Sequence, residues 1–346
     1  MSWTAAVPEE LKAKATAVIG NIAPEECAQC PKLEWLQTWS AGVDKYQRPG
    51  ILQPGSMLTN ATGAYGQSVS EHMFAMMWAI MKNLHIYAAS NPNAMWQDAG
   101  RAISPNGKTA LVIGTGDIGS HFARLCKNVG MTTIGIRRNP AVEAPGVDHM
   151  IGFDSLDDVL QYADVIAMSV PSTPATRHLL NAERIASLKP DSIIINAGRG
   201  NAIESQALAD ALAEGRIRGA ALDVTEPEPL PEESPLWRER NASSHHMWRE
   251  ATILRSPSAA SSPSHWAMYA ATPTVSRLTI ACLLKADGHA CGEIRMMAVD
   301  GSRKERKGYD IEQMASCDGM VHDGIGIGVP VRVFVGSAGE DAYPVV

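Results

Sequence analysis

The chain has 346 residues, is 45% apolar and carries 30 Lys and Arg against 37 Asp and Glu, a formal charge of −7. That length and apolar content predict two domains with real cores, and a mild acidic excess without a long basic run argues against general nucleic-acid or anionic-membrane binding. The early apolar run 74–81 is far too short to span a bilayer, the first ten residues lack the order of a signal peptide, and six cysteines without framework spacing predict a reduced, cytoplasmic protein.

In chain order, residues 1–67 alternate short strand-like and helical pieces, such as 16–19 and 33–38, broken by Pro and Gly. Within them Cys27-Ala-Gln-Cys30 has redox or zinc spacing, but no second cluster follows, so a short capped helix with ordinary thiols is expected and no metal. Ser68-Val-Ser-Glu71 reads as a capping box ahead of a long buried helix running to Leu84. From Lys108 the text turns into strand and helix alternation: strands at 109–113, 132–136, 165–170, 193–196 and 219–224, and helices at 119–129 and 204–214. Short β-rich runs separated by amphipathic helices predict an α/β, doubly wound parallel sheet.

Between the first strand and helix of that region lies Gly114-Thr115-Gly116-Asp117-Ile118-Gly119, a G-x-G-x-x-G where the dinucleotide fingerprint requires it. The first glycine permits a tight turn, the second lets backbone approach a pyrophosphate, and the third lets helix pack on strand; the anion would sit on the helix N-terminus. The next strand ends in Ile136-Arg137-Arg138-Asn139, where an NAD enzyme places an acid to accept from the ribose hydroxyls. An arginine cannot accept but pairs well with a 2′-phosphate, so NADP(H) is favoured, NAD(H) remaining possible. Two arginines solvating a strand end are the plainer alternative. A methyltransferase is disfavoured by Arg137 in the place of an acidic ribose partner.

With these motifs in order, residues 30–241 resemble the D-isomer-specific 2-hydroxyacid dehydrogenases, the family of glyoxylate/hydroxypyruvate reductases and phosphoglycerate dehydrogenase. Thr38-Trp39-Ser40-Ala41-Gly42-Val43-Asp44 is similar to the substrate loop, whose main chain (Ala41, Gly42, Val43) would hold a carboxylate. Asn60-Ala-Thr-Gly-Ala-Tyr65 with Val69-Ser-Glu-His72 resembles the opening of the interdomain helix. Val170-Pro171-Ser172-Thr173-Pro174-Ala175-Thr176 resembles the loop flanking the nicotinamide ribose, with Val170, Pro171 and Thr176 as cofactor contacts. Asn196-Ala197-Gly198-Arg199-Gly200 carries the matching catalytic arginine, Arg199, beside cofactor contacts Ala197 and Gly198. Leu222-Asp223-Val-Thr-Glu-Pro-Glu228-Pro carries Asp223, matching the nicotinamide carboxamide partner, and Glu228, matching the partner of a catalytic imidazole.

The resemblance implies a flavodoxin-like substrate domain (1–84), a Rossmann domain (85–241), reduction of a small 2-keto acid such as glyoxylate or hydroxypyruvate, and a homodimer formed near 68–96. A non-catalytic dinucleotide-binding regulator of the same fold is the alternative, since the family includes corepressors. The N-terminus also looks short for this family.

The resemblance breaks after Asn241. The family's Thr-Pro-His-x-Ala-Gly is replaced by Ala242-Ser-Ser-His-His-Met-Trp-Arg-Glu250, and 251–286 hold no Asp or Glu. Reading the back-translated codons from the third base of Ser244 permits Thr, Pro and His, forces Val, then permits Ala and Gly. The same shift over 263–278 permits Ile-Ala-Leu-Gly-Asn-Val-Arg-Arg-Tyr-Ala-Asn-Gly-Glu-Pro-Leu, similar to the family's closing helix, and permits a stop codon at Leu284–Lys285. Residues 242–346 therefore read as an irregular, frameshifted tail. A genuine divergent region, with His245 or His246 as stand-in proton donor, is the competing reading.

Overall fold

The computed structural model describes residues 7–90, 94–96, 98–244 and six short strands between 266 and 335, the last as backbone only. Two compact units result, Met1–Tyr65 with Glu250–Val346, and Gly66–Arg249.

The first unit begins with α1 (Glu9–Lys12), β1 (Ala17–Ile19), α2 (Pro24–Ala28), β2 (Trp35–Gln37) and β3 (Met57–Thr59). The three strands pair in parallel, β1-β2-β3, and Val329–Val335 adds antiparallel to the free edge of β1. Val18, Ile22, Leu36, Tyr46 and Leu58 form its core, with the Tyr46 hydroxyl donating to the Ile22 carbonyl at 2.7 Å. Cys27 and Cys30 are buried in that core, and burial pushes the Cys27 thiol up to about 12, so both stay protonated at neutral pH.

The second unit runs α3 (Gly66–Met81), α4 (Leu84–Ser90), β4 (Thr109–Ile113), α5 (Asp117–Asn128), β5 (Thr132–Ile136), β6 (His149–Ile151), α6 (Leu156–Leu160), β7 (Val165–Met168), α7 (Ala182–Ala186), β8 (Ile193–Asn196), α8 (Ser205–Ala213), β9 (Gly219–Leu222) and β10 (Ala242–Ser244). Its seven strands are all parallel, in the order β6-β5-β4-β7-β8-β9-β10. The first six follow the doubly wound 3-2-1-4-5-6 pattern. Strands β7 and β8 read Val-Ile-Ala-Met and Ile-Ile-Ile-Asn and are buried along their whole length, as a sheet covered on both faces requires.

Two expectations are corrected. The long helix begins at Gly66 rather than behind a Ser68 cap, and it ends at Met81 because Asn83 turns left-handed at φ 58°, its amide donating to the Ala99 and Gly100 carbonyls. Helix α3 belongs to the second unit, which therefore starts at 66 instead of 85. Its buried Met73, Met76, Met77 and Ile80 face lies on α5, β8 and β9, where Gly219 lets Ile80 approach. After residue 244 the described residues are six strands: Trp266–Met268, Leu278–Ile280, Ile294–Ala298 and Gly308–Tyr309 pair antiparallel in sequence, and Ala315–Val321 pairs with Val329–Val335. The remainder of 245–346 lies outside the described residues.

Candidate active site

The switch in strand order falls between β4 and β7, and the loops leaving their carboxyl ends diverge there. At that point Gly114 takes φ 93°, a conformation L side chains avoid, and a Cβ on it would stand 2.9 Å from the Ser169 carbonyl oxygen. The Ser169 hydroxyl donates to the Gly114 carbonyl at 2.8 Å, tying the two diverging loops. Gly119 packs closer still, its absent Cβ falling 2.0 Å from the Gly114 carbonyl. Gly116 is the opposite case, with nothing within 4 Å of where its Cβ would be. The loop thus has two glycines that close it and one that leaves its backbone open at the start of α5, a fit for a diphosphate.

Arg137 and Arg138 follow β5. Arg138 is exposed, while the Arg137 guanidinium donates to the carbonyls of Val142 (3.1 Å) and Glu143 (3.4 Å), which steadies the side chain at the strand end.

The loops after β7, β8 and β9 are pressed together by glycine. A Cβ on Gly198 would lie 2.7 Å from the Val170 nitrogen, and one on Gly200 would lie 2.0 Å from the Thr225 carbonyl. Thr176, expected as a cofactor contact, staples its own turn: its hydroxyl donates to the Pro171 carbonyl at 2.6 Å and accepts from the Thr173 N–H at 2.9 Å. Val170 and Ala197 are buried, and the Ala197 N–H bonds the Met168 carbonyl.

Asn196 was not singled out by its residue type, yet it organises this end. It is buried at the tip of β8, its amide oxygen accepts from the Gly198 N–H (3.1 Å), its amide nitrogen donates to the Arg199 carbonyl (2.9 Å), and its own carbonyl accepts from the Asp223 N–H (2.9 Å). The signal was available, because Asn ahead of a Gly-containing turn bonds its own backbone two residues on. Arg199 is half-buried with one guanidinium nitrogen on the Gly198 carbonyl. Asp223 is buried and Glu228 exposed in the loop beyond it. That loop is anchored by Glu226, paired with Arg177 at 2.9 Å and with His178 at 3.6 Å. His245 and His246 lie outside the described residues.

In the first unit, Ala41-Gly42-Val43 forms a loop held from below. Asn60 donates to the Ala41 carbonyl at 2.8 Å, Ser40 to the Gly42 carbonyl at 2.9 Å, and the Asn21 side chain accepts from the Trp39 and Ser40 N–H groups.

Residues 74–246 match the model of the D-isomer specific 2-hydroxyacid dehydrogenase NAD-binding domain. The chain is 32% identical over 230 residues to glyoxylate/hydroxypyruvate reductase B of Yersinia pestis (strain Pestoides F), covering 64% of this chain and 69% of that one. A solved family protein from Aeromonas salmonicida subsp. salmonicida A449 superposes with a TM-score of 0.64 at 34% identity, covering 71% of this chain and 80% of that chain. A second, from Xanthobacter autotrophicus Py2 in complex with NADPH and MES, gives 0.58 at 27%, covering 67% and 73%. This chain belongs to the D-isomer specific 2-hydroxyacid dehydrogenase family, oxidoreductases that act on CH–OH donors with a nicotinamide dinucleotide. Among the described residues no helix is long and apolar enough to cross a membrane.

Proposed function

We propose that this protein descends from an NADPH-dependent reductase of small 2-keto acids, glyoxylate or hydroxypyruvate, and keeps the cofactor half of that site. The observation that carries the reading is the Asn196–Gly200 turn, which carries Arg199, packs Gly198 against Val170 and accepts from the Asp223 N–H. A bound nicotinamide supplies the hydride. Arg199 grips the keto-acid carboxylate and carbonyl with its planar fork and stabilises charge growing on the oxygen. Asp223 would accept from the carboxamide of a bound nicotinamide, and in the first unit the 41–43 amides would offer their N–H groups to a carboxylate. Glu228 would hold a protonated imidazole ready for the alkoxide. Arg137, already fixed by two carbonyls, meets the 2′-phosphate, with Arg138 beside it; the NADPH carried by the Xanthobacter relative supports this choice.

The imidazole is where the chain departs. Strand β10 pairs Ala242, Ser243 and Ser244 with Ala220, Ala221 and Leu222, and the shifted frame that permits Thr-Pro-His starts at the third base of the Ser244 codon, where that strand ends. That coincidence supports a frameshifted segment from about 242 on. It also favours the second reading, a dinucleotide-binding protein without turnover. Exposed Leu84, Tyr87, Met95 and Trp96 support a homodimer through 68–96. The protein would work in the cytoplasm.

The test is NADPH oxidation with glyoxylate and hydroxypyruvate by the chain as written and by one with the frame restored at codon 241. Turnover confined to the restored chain supports the descent. Binding without turnover in both favours the regulator, and no dinucleotide binding in either overturns both readings.

A further inference from the structure

The fourth residue of the glycine loop is an acid, and elementary electrostatics makes that awkward. Asp117 is the first residue of α5, so its carboxylate sits at the positive end of the helix that would receive a diphosphate. A carboxylate there stabilises the empty helix start and competes with the anionic ligand for the same backbone charge.

The structure shows where that carboxylate goes. A Cβ built on Gly66, the first residue of α3, would lie 2.1 Å from Asp117 Oδ1, 2.5 Å from its Cγ and 2.7 Å from Oδ2. The acid is seated in the gap left by a missing side chain, against the start of a second helix whose own first N–H groups favour a negative charge. His121, one turn along α5, closes the other side, with Nδ1 at 2.8 Å from the Asp117 carbonyl and 3.5 Å from Oδ1. Around Gly116, by contrast, there is open space.

The geometry points to Gly66 as a positioning residue for the dinucleotide site: by leaving a seat at the head of α3, it holds the Asp117 charge off the diphosphate. This rests on the dinucleotide reading of the loop and adds a residue 48 positions ahead of the motif. Asp117 is then a tolerated brake on cofactor affinity, and Gly66 is what keeps the brake light. Because the diphosphate is common to both cofactors, the effect is blind to the 2′-phosphate.

The experiment is titration of NADPH and NADH, followed by nicotinamide fluorescence, on the unaltered protein and on Asp117→Asn, Asp117→Ala, Gly66→Ala and the Gly66→Ala/Asp117→Ala double variant, with thermal unfolding of each. Asp117→Asn keeps the number of heavy atoms and removes the charge. It should tighten both cofactors alike, by about twofold to fivefold, with the gain shrinking at high salt. Gly66→Ala should weaken both by a similar factor in the Asp117 background and change little once Asp117 is Ala. An Asp117→Asn protein that binds no tighter, or a Gly66→Ala loss equal in both backgrounds, overturns the proposal while leaving the dinucleotide site intact. An unaltered protein that binds neither cofactor overturns the site and this proposal together.

Discussion

The loops after β4 and after β9 leave the same edge of one parallel sheet, yet they are built on different principles. The first is local: three glycines within six residues set its turn, its opening and its helix contact. The second is assembled from three crossovers, with Gly198 on Val170, Gly200 on Thr225, Asn196 on Asp223 and Glu226 on Arg177 and His178. A local device survives the loss of distant chain, whereas a composite one is incomplete as soon as one contributor is gone. This chain carries the first in full, and its sequence contains no Thr-Pro-His after β9.

Glycine substitutions test the local device most severely. Gly119→Ala places a methyl 2.0 Å from a backbone oxygen that cannot yield without moving α5, and should cost about 3 kcal/mol in chemical denaturation together with dinucleotide binding. Gly116→Ala meets no protein atom, so its denaturation midpoint should barely change while its NADPH affinity falls. Equal losses of stability in the two variants would contradict the division of labour between these glycines.

For the composite end, Arg199→Lys in a frame-restored chain keeps charge but loses the two-point grip. We expect kcat/KM for glyoxylate to fall by an amount on the order of 2–4 kcal/mol in transition-state stabilisation. Near-full activity of the Lys variant would remove Arg199 from the role of substrate clamp.

Between the two loops lies the β5 end. Arg137→Asp should reverse cofactor preference, changing the ratio of NADPH to NADH dissociation constants by roughly a hundredfold, since the carboxylate repels the 2′-phosphate and accepts from a free 2′-hydroxyl. An unaltered protein that already prefers NADH would sink the assignment.

These regions differed in how readily they could be read. Strands β4, β5 and β8 read Thr-Ala-Leu-Val-Ile, Thr-Thr-Ile-Gly-Ile and Ile-Ile-Ile-Asn and stop at Gly114, Arg137 and the turn that Asn196 opens, so their ends are legible to the residue. Strand β6, at the sheet edge with a half-exposed His-Met-Ile, has neither alternation nor length to announce it. The break at Asn83 was hidden inside an apolar stretch, because its cause is the distant pair of carbonyls at Ala99 and Gly100. The glycine loop was legible because all its parts are adjacent in sequence. The seat that Gly66 offers to Asp117 was not, since nothing in residues 66–71 refers to residue 117.

The smallest expected effect concerns the framework behind both loops. Lys127 at 2.5 Å and the Thr133 N–H hold the Asp148 carboxyl down at about 2 from 3.8. A carboxyl lowered in the folded state stabilises above its unfolded value, and that contribution fades as pH falls from about 4 toward 2. Asp148→Asn should therefore cost about 1 kcal/mol at pH 7, discounted for partial exposure, and almost nothing near pH 2. A cost independent of pH would assign Asp148 a purely steric role.

The central claim is that the cofactor half is intact and the acid–base half incomplete, and one paired measurement addresses it: NADPH binding and NADPH oxidation with glyoxylate, on the chain as written beside its frame-restored counterpart. NADPH affinity should be comparable in the two, with turnover by the chain as written lower by a factor on the order of 100 to 10,000, the usual worth of a positioned general acid. Equal turnover by both chains, or a failure of the chain as written to bind NADPH, would contradict it.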